Sequence, residues 1–345
     1  MRTAYFLFPK LNIHAGGHLA QMKLLSNTAA ICKAQAVTYE DKAEGTPTLD
    51  EVLQASAGED AIFFVHWGPH VPGLIERLKG RHVVYVSYST GYGFHIPANV
   101  PILAGSRHTQ AYWGRYAANN PIYYVSCEIA DEFTNKHRTR DVDVLVQKRK
   151  SSRYLLEELV PALQVHCNVM VLDSWVESLS DVLNNSKVYL YDSTEYWGFH
   201  DVSEGFGLPP LEALACGCTV FSSVNDALSD YLDPGLNAHK LRGYSKEYDV
   251  ARILKAVREW KDDQNFVDPA ADYRKDAVQK RLRIILKELN DFFDYKHDNA
   301  IADLGILPHE VEVKRLNEEL YSIKSSRAWK FLERLRRLRA KFTKS

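Results

Sequence analysis

The sequence offers little from which a disulfide scaffold, a membrane span or a polyanion-binding surface could be built. Its five cysteines, Cys32, Cys127, Cys167, Cys216 and Cys218, are odd in number and follow no framework spacing. Disulfide scaffolds and zinc knuckles are therefore not indicated, and reduced, buried thiols of a cytoplasmic chain are the expectation. No apolar run approaches the ~18 residues needed to cross a bilayer. The apolar start, Met1 to Phe8, lacks the basic region and cleavage site of a signal peptide and reads as a buried strand. Charge of one sign is also missing: 43 Lys and Arg stand against 44 Asp and Glu, a formal net charge of −1. No global field draws nucleic acid to such a chain. The dinucleotide fingerprint GxGxxG is absent as well.

What is present suits a two-domain α/β protein. At 345 residues, with 46% hydrophobic and 25% charged content, the chain has material for two cores, since single cores stop growing near roughly 250–300 residues. Short β-rich runs alternate with helix-like stretches. Tyr5–Phe8, Ala61–Val65, Val83–Ser87, Ile102–Ala104 and Ile122–Val125 read as strands, and Leu19–Lys33, Val71–Leu78 and Ser106–Tyr116 as helices. After a charged, apolar-poor stretch at Asp131–Asp141 the pattern restarts. Strands are expected at Val142–Val146, Val169–Leu172, Val188–Tyr191 and Thr219–Ser222. Helices are expected at Ser151–Leu163, Leu179–Asn184, Pro210–Ala215, Val250–Trp260 and Ala277–Tyr295. Such alternation implies parallel sheets, with ligands beyond the carboxyl ends of the strands.

The segment Ser203 to Gly217, SEGFGLPPLEALACG, carries the chemistry. Glu204 and Glu212 are separated by seven residues. Gly205 and Gly207 let the backbone approach a ligand closely. The N–H groups of Phe206, Gly207 and Leu208 face outward at a helix N-terminus, where they can donate to an anion or to hydroxyls. A carboxylate on each side can accept from vicinal hydroxyls.

This string resembles the E-x7-E segment of the retaining nucleotide-sugar glycosyltransferases of group 1 (family 4), which have the GT-B fold. The resemblance implies two Rossmann-like domains facing a cleft: an acceptor-side domain at 1–128, a nucleotide-sugar domain at 129–295, and a helical tail at 296–345. It implies that Glu204 contacts the donor sugar and Glu212 the donor ribose. Asn12–Leu19, with Gly16 and Gly17, resembles the family's glycine loop against the donor phosphates. His66, in Phe64-Val65-His66-Trp67-Gly68-Pro69, resembles the strand-end histidine that faces the reacting sugar, with His70 as the nearby competitor. After the next domain's first strand, where the family carries a basic pair for the diphosphate, this chain has Gln147-Lys148-Arg149-Lys150. Lys148, Lys150 and Arg153 all stay open for that role. Trp175 aligns with the loop that cradles the base.

The activity so implied is a retaining, metal-independent hexosyl transfer from a UDP-, GDP- or other nucleoside-diphosphate sugar. The acceptor would be a glycan or lipid-linked saccharide, in bacterial-type surface polysaccharide synthesis. No cofactor and no nucleic-acid partner are expected. The acidic pair Asp141 and Asp143 precedes a strand, whereas metal carboxylates facing phosphates would follow one. Alternatives within the fold are an epimerase or a phosphorylase, and outside catalysis a sugar-binding scaffold. One departure from the family is the connection Ser193–Ser203, which is longer than usual and holds Tyr196, Trp197, Phe199 and His200. Both an acceptor-side loop and a small hydrophobic plug fit it.

The C-terminus differs in character. From Lys324 onward there are nine basic residues and one acid, Glu333, with Trp329, Leu332, Leu335, Leu338 and Phe342 recurring every three or four residues. A basic amphipathic helix with a tryptophan suits the inner face of an anionic membrane, each cation contributing on the order of 1 kcal/mol; packing on the protein body is the alternative. Deleting residues 324–345 is expected to abolish sedimentation with phosphatidylserine liposomes. Full-strength binding by the truncated chain would refute the membrane reading.

Overall fold

The computed structural model describes residues 1–11, 16–55, 60–174, 176–263, 266–299, 319–320, 322–323, 326 and 329. The chain divides into one unit of Met1–Asn299 and a second of Ala300–Ser345. The basic helix expected over 324–345 lies outside the described residues except at Ser326 and Trp329.

The first unit contains two parallel sheets. The first sheet is built from β1 (Thr3–Phe8), β2 (Ala34–Thr38), β3 (Ala61–Val65), β4 (His82–Ser87), β5 (Ile102–Ala104) and β6 (Ile122–Tyr124), in the order β2-β1-β3-β4-β5-β6. Strands buried on both faces read as unbroken apolar runs, and β1 shows why. Tyr5 and Leu7 enter one core with Phe63, Val65 and Tyr85. Ala4, Phe6 and Phe8 enter another with Ile62, Phe64 and Val84. Between the strands lie α1 (Gly16–Ala29), α2 (Leu49–Gln54), α3 (Val71–Arg77) and α4 (Arg107–Tyr116). α2 starts at a capping box in which Thr48 and Glu51 bond each other's backbone N–H.

The second sheet has β7 (Val142–Gln147), β8 (Val169–Leu172), β9 (Ser186–Tyr191), β10 (Thr219–Ser222) and β11 (Ala238–Lys240), in the order β8-β7-β9-β10-β11. Its helices are α5 (Val160–Gln164, continuing a π-helical run Tyr154–Leu159), α6 (Leu179–Asn184), α7 (Thr194–His200), α8 (Leu208–Ala215), α9 (Lys246–Glu259) and α10 (Lys275–Asp298). α10 follows this half in the chain but covers the other. Its stripe Val278, Leu282, Ile285, Leu286, Leu289 and Phe293 closes the core holding Phe6, Phe8 and Phe64.

The expected strands and helices are found within a few residues of their bounds. β2, α2, α7 and β11 were not among them.

The two halves meet through the loops that follow their strands. The Ser203 hydroxyl accepts from the Thr90 N–H (3.0 Å), and the Ser89 hydroxyl donates to the Ser203 carbonyl (2.7 Å). The Asp230 carboxylate, from the second half, accepts from the N–H groups of Arg107 and His108 at the start of α4 in the first. An anionic acceptor at a helix N-terminus contributes typically about 1 kcal/mol. Asp230→Ala is therefore expected to lower stability by about 1 kcal/mol, read as a lower urea midpoint at unchanged slope. An unmoved midpoint would show that the bond across the halves carries no stability.

Candidate functional site

In a doubly wound sheet, ligands sit where the strand order reverses. Here that is between β1 and β3 in the first sheet and between β7 and β9 in the second. The loops leaving those four strands carry nearly all the residues singled out from the sequence.

Glu204 lies at their centre, only 3% exposed. Tyr191, the last residue of β9, donates its hydroxyl to one carboxylate oxygen at 2.6 Å. The Lys150 ammonium, from the loop after β7, is 3.4 Å from the other. The Glu204 N–H donates to Asp226 at 3.0 Å. A buried carboxylate is tolerated only with such partners. Burial and the neighbouring Glu204 charge raise the Tyr191 phenol well above its usual range, so it stays a donor. Desolvation lowers the Lys150 amine, and Glu204 opposes that shift.

The turn between the two glutamates approaches the first half closely. A Cβ on Gly205 would overlap the Tyr88 carbonyl oxygen, so only glycine fits. Gly207 adopts φ +76° and begins α8. No described residue accepts from the N–H groups of Phe206, Gly207 or Leu208. The Phe206 ring itself is buried against Tyr231 and Tyr273, so only its backbone faces the site. Gly16 and Gly17 open α1, and a Cβ on Gly17 would just reach the Tyr88 ring.

Glu212 lies one turn into α8 and is half-buried. Burial pushes its carboxyl up to about 7; the Lys23 ammonium on α1 works against that shift and Glu132 adds to it. His66 follows β3 and is 1% exposed, with Phe8, His18, Trp67 and Tyr88 around its ring. Burial, then the neighbouring His18, presses its pKa down to about 3, which makes it a neutral imidazole. His70 points elsewhere, bonding Tyr39 at 2.9 Å beside Glu40.

The three cations left open by the sequence separate. Lys150 joins Glu204. Lys148 faces Asp173 at 3.9 Å, and Arg153 is exposed beside Glu157. Trp175 lies outside the described residues. Asp143 pairs with Lys187 at 2.7 Å near the start of β7. The sequence reading did not single out Tyr191, Asp226 or the placement of Trp197, whose ring lies under Lys150 at 4.2 Å. A tyrosine ending an apolar strand just ahead of the motif was the available signal for Tyr191.

The sequence pattern of the family described as Glycosyl transferases group 1 matches residues 136–280. No curated protein matches the chain. Among solved structures, Anabaena HepE in complex with UDP and glucose superposes with a TM-score of 0.58 at 11% identity, over 84% of this chain and 100% of that one. A glycosyltransferase from Rickettsia africae gives 0.57 at 11%, over 85% and 98%. Sucrose-phosphate synthase from Thermosynechococcus elongatus gives 0.54 at 12%, over 93% and 100%. At these identities the likeness is one of fold, and the fold is GT-B.

The Glu212 shift fixes a pH dependence. An acid raised to about 7 from 4.5 favours folding while protonated, and that contribution is lost as pH climbs from 4.5 through 7. Glu212→Gln, which does not titrate, is expected to gain about 2 kcal/mol relative to wild type between pH 5 and pH 8, measured by urea unfolding at both. A constant difference at the two pH values would show that Glu212 is solvated.

Proposed function

We propose, from the match of residues 136–280 to the pattern of the glycosyl transferases group 1 family, that this chain moves a sugar from a nucleoside-diphosphate sugar to a saccharide acceptor with retention of configuration. The observation that carries this reading is the pair Glu204 and Glu212 at the two ends of a turn whose N–H groups donate to no partner among the described residues. In this reading the Glu212 carboxylate takes the two ribose hydroxyls. Glu204, with its oxygens oriented by Tyr191 and Lys150, takes hydroxyls of the transferred sugar. Lys150, the amides of Phe206, Gly207 and Leu208, and the start of α1 at Gly16 and Gly17 face the diphosphate. Negative charge grows there as the leaving group departs, and preorganised donors aimed at developing charge commonly supply the largest catalytic contribution. His66, held neutral, can donate to a sugar hydroxyl without bringing a charge into the site.

Anabaena HepE was solved with UDP and glucose, which supports a nucleotide-sugar donor here. Glu204 is engaged by Tyr191 on one oxygen and Lys150 on the other, and the proposal takes from the sequence resemblance a same-face attack by the acceptor without a covalent sugar–enzyme intermediate. Metal-independent turnover, an acceptor that is a glycan or lipid-linked saccharide of a surface polysaccharide, and residence at the cytoplasmic face of a membrane complete the proposal. Among the described residues no helix is long and apolar enough to cross a membrane, and the proposal assigns such association to the basic tail. The non-catalytic scaffold reading draws on the dispersal of Lys148 and Arg153, and it predicts sugar binding without turnover.

The test is a thermal-shift panel of UDP, GDP, ADP and their sugars, in excess EDTA, on wild type, Glu212→Ala and Glu212→Gln. A ligand at 100 times its Kd stabilises by about 2.7 kcal/mol. One nucleotide series is expected to shift wild type and neither variant. No shift with any nucleotide would sink the donor-site reading.

A further inference from the structure

Building on that donor-site reading, one side chain outside the family motif stands where it governs the lysine of the site. Trp197 lies on α7, within the connection Ser193–Ser203 that precedes the Glu204–Glu212 segment. The Lys150 ammonium is 4.2 Å from the centre of the Trp197 ring and 5.8 Å from that of Tyr196. It is also 3.4 Å from Glu204. A cation over an indole face is attracted by the ring quadrupole, more strongly than over phenylalanine and increasingly so as water is excluded. The lysine itself sits in a left-handed backbone conformation, φ +67°, so its loop holds it in an uncommon geometry.

The loop of the ammonium and the helix of the ring are joined by three hydrogen bonds. The Ser152 N–H donates to the Asp192 carbonyl (2.8 Å), the Ser152 hydroxyl to the Asp192 carboxylate (2.6 Å), and the Arg153 N–H to the Glu195 carboxylate (2.8 Å). These bonds tie the loop carrying Lys150 to the start of α7. At the other end of the segment, Ser203 bonds Thr90 of the first half. The indole N–H is enclosed without a partner among the described residues. The tryptophan is thus seated by packing, with its face rather than its N–H turned to useful account.

We propose that Trp197 is a positioning residue for Lys150. Its ring holds the ammonium beside Glu204 in the placement from which it meets the donor's diphosphate, so that binding does not have to order a free lysine side chain. The connection Ser193–Ser203 then acts on donor binding, through a contact outside the Glu204–Glu212 segment.

Two measurements on the full chain test this. The first is acetylation of Lys150 by N-hydroxysuccinimidyl acetate, followed by peptide mass spectrometry without any ligand. Trp197→Leu is expected to raise the Lys150 rate about fivefold and Trp197→Phe to stay within about twofold of wild type. The second is calorimetric titration with UDP, GDP and ADP and their parent nucleosides. For the diphosphate that binds wild type, Trp197→Leu is expected to lose about tenfold in affinity, with the parent nucleoside unchanged and Trp197→Phe recovering most of the loss. Equal Lys150 rates in wild type and Trp197→Leu would overturn the proposal. So would an equal loss for nucleoside and diphosphate, which would mark general damage. A wild-type chain that binds none of the three diphosphates would overturn the donor-site reading itself, whatever the labelling shows, and with it the ligand assigned to Lys150.

Discussion

A carboxylate withdrawn from water needs its lone pairs met, and the 3% exposure of Glu204 imposes that demand at the middle of this molecule. The groups that meet it dictate much of the surrounding architecture. Tyr191 must end β9, and Lys150 must follow β7. Both can reach one side chain only because β7 and β9 are neighbours, paired at Val146 and Leu190. That adjacency is also where the sheet order reverses, so the compensation of one buried acid and the location of the ligand crevice share a cause. Asp226, from the loop after β10, adds the third tie by accepting the Glu204 N–H.

The same stretch of chain fastens the halves together. Ser203 bonds Thr90, and the next residue but one, Gly205, has no room for a side chain against the Tyr88 carbonyl. Tyr88 in turn donates to Gln21 on α1 and lies beside Gly17. The turn between the two glutamates and the first half's glycine-led helix therefore converge on a single tyrosine. α10 strengthens the arrangement from behind, since the chain leaves the second sheet and spends its longest apolar stripe on the first. Its exit from one half and burial in the other make the two cores interdependent, even though each sheet is complete in itself.

Much of this was legible in the sequence because the sheets are parallel and doubly buried. Strands such as Ala61–Val65 read as uninterrupted apolar runs, and the motif from Ser203 to Gly217 is long enough to identify a turn, a helix start and two acids together. The missed elements fail on the same physics. β2 is AQAVT, an edge strand only partly buried at its start, and β11 is three residues long, so neither has the apolar density that marks a strand. α7 is aromatic and glycine-bearing, with no fully buried residue, so helical periodicity had nothing to mark. The helix at α10 was legible but its destination was not, because an amphipathic stripe states that a face is buried without saying against which sheet. Nor could spacing choose among Lys148, Lys150 and Arg153. A left-handed turn at Lys150 and the acids Asp173 and Glu157 on its neighbours decide that, and both are properties of the folded loop.

The outcome is a site with few formal charges and many fixed dipoles. With Lys148 and Arg153 engaged by other acids, two ammonium groups stand near the glutamate pair, a partly desolvated Lys150 beside Glu204 and Lys23 on the side of Glu212. Two carboxyl groups and two amines leave the site without an excess of positive charge. A diphosphate there must be met largely by backbone amides of the α8 turn and by the start of α1, whose orientation costs nothing at the moment of reaction. The desolvation of Glu212 follows the same logic. A carboxyl pushed up to about 7 gains most from a ligand that brings paired hydroxyl donors and no charge of its own, which is the chemistry of a ribose diol. An anion placed there would be repelled, so the site's ends and its middle demand opposite things of their ligand. A nucleoside-diphosphate sugar, with its hydroxyls at either end and its charge in the middle, meets both demands in one molecule.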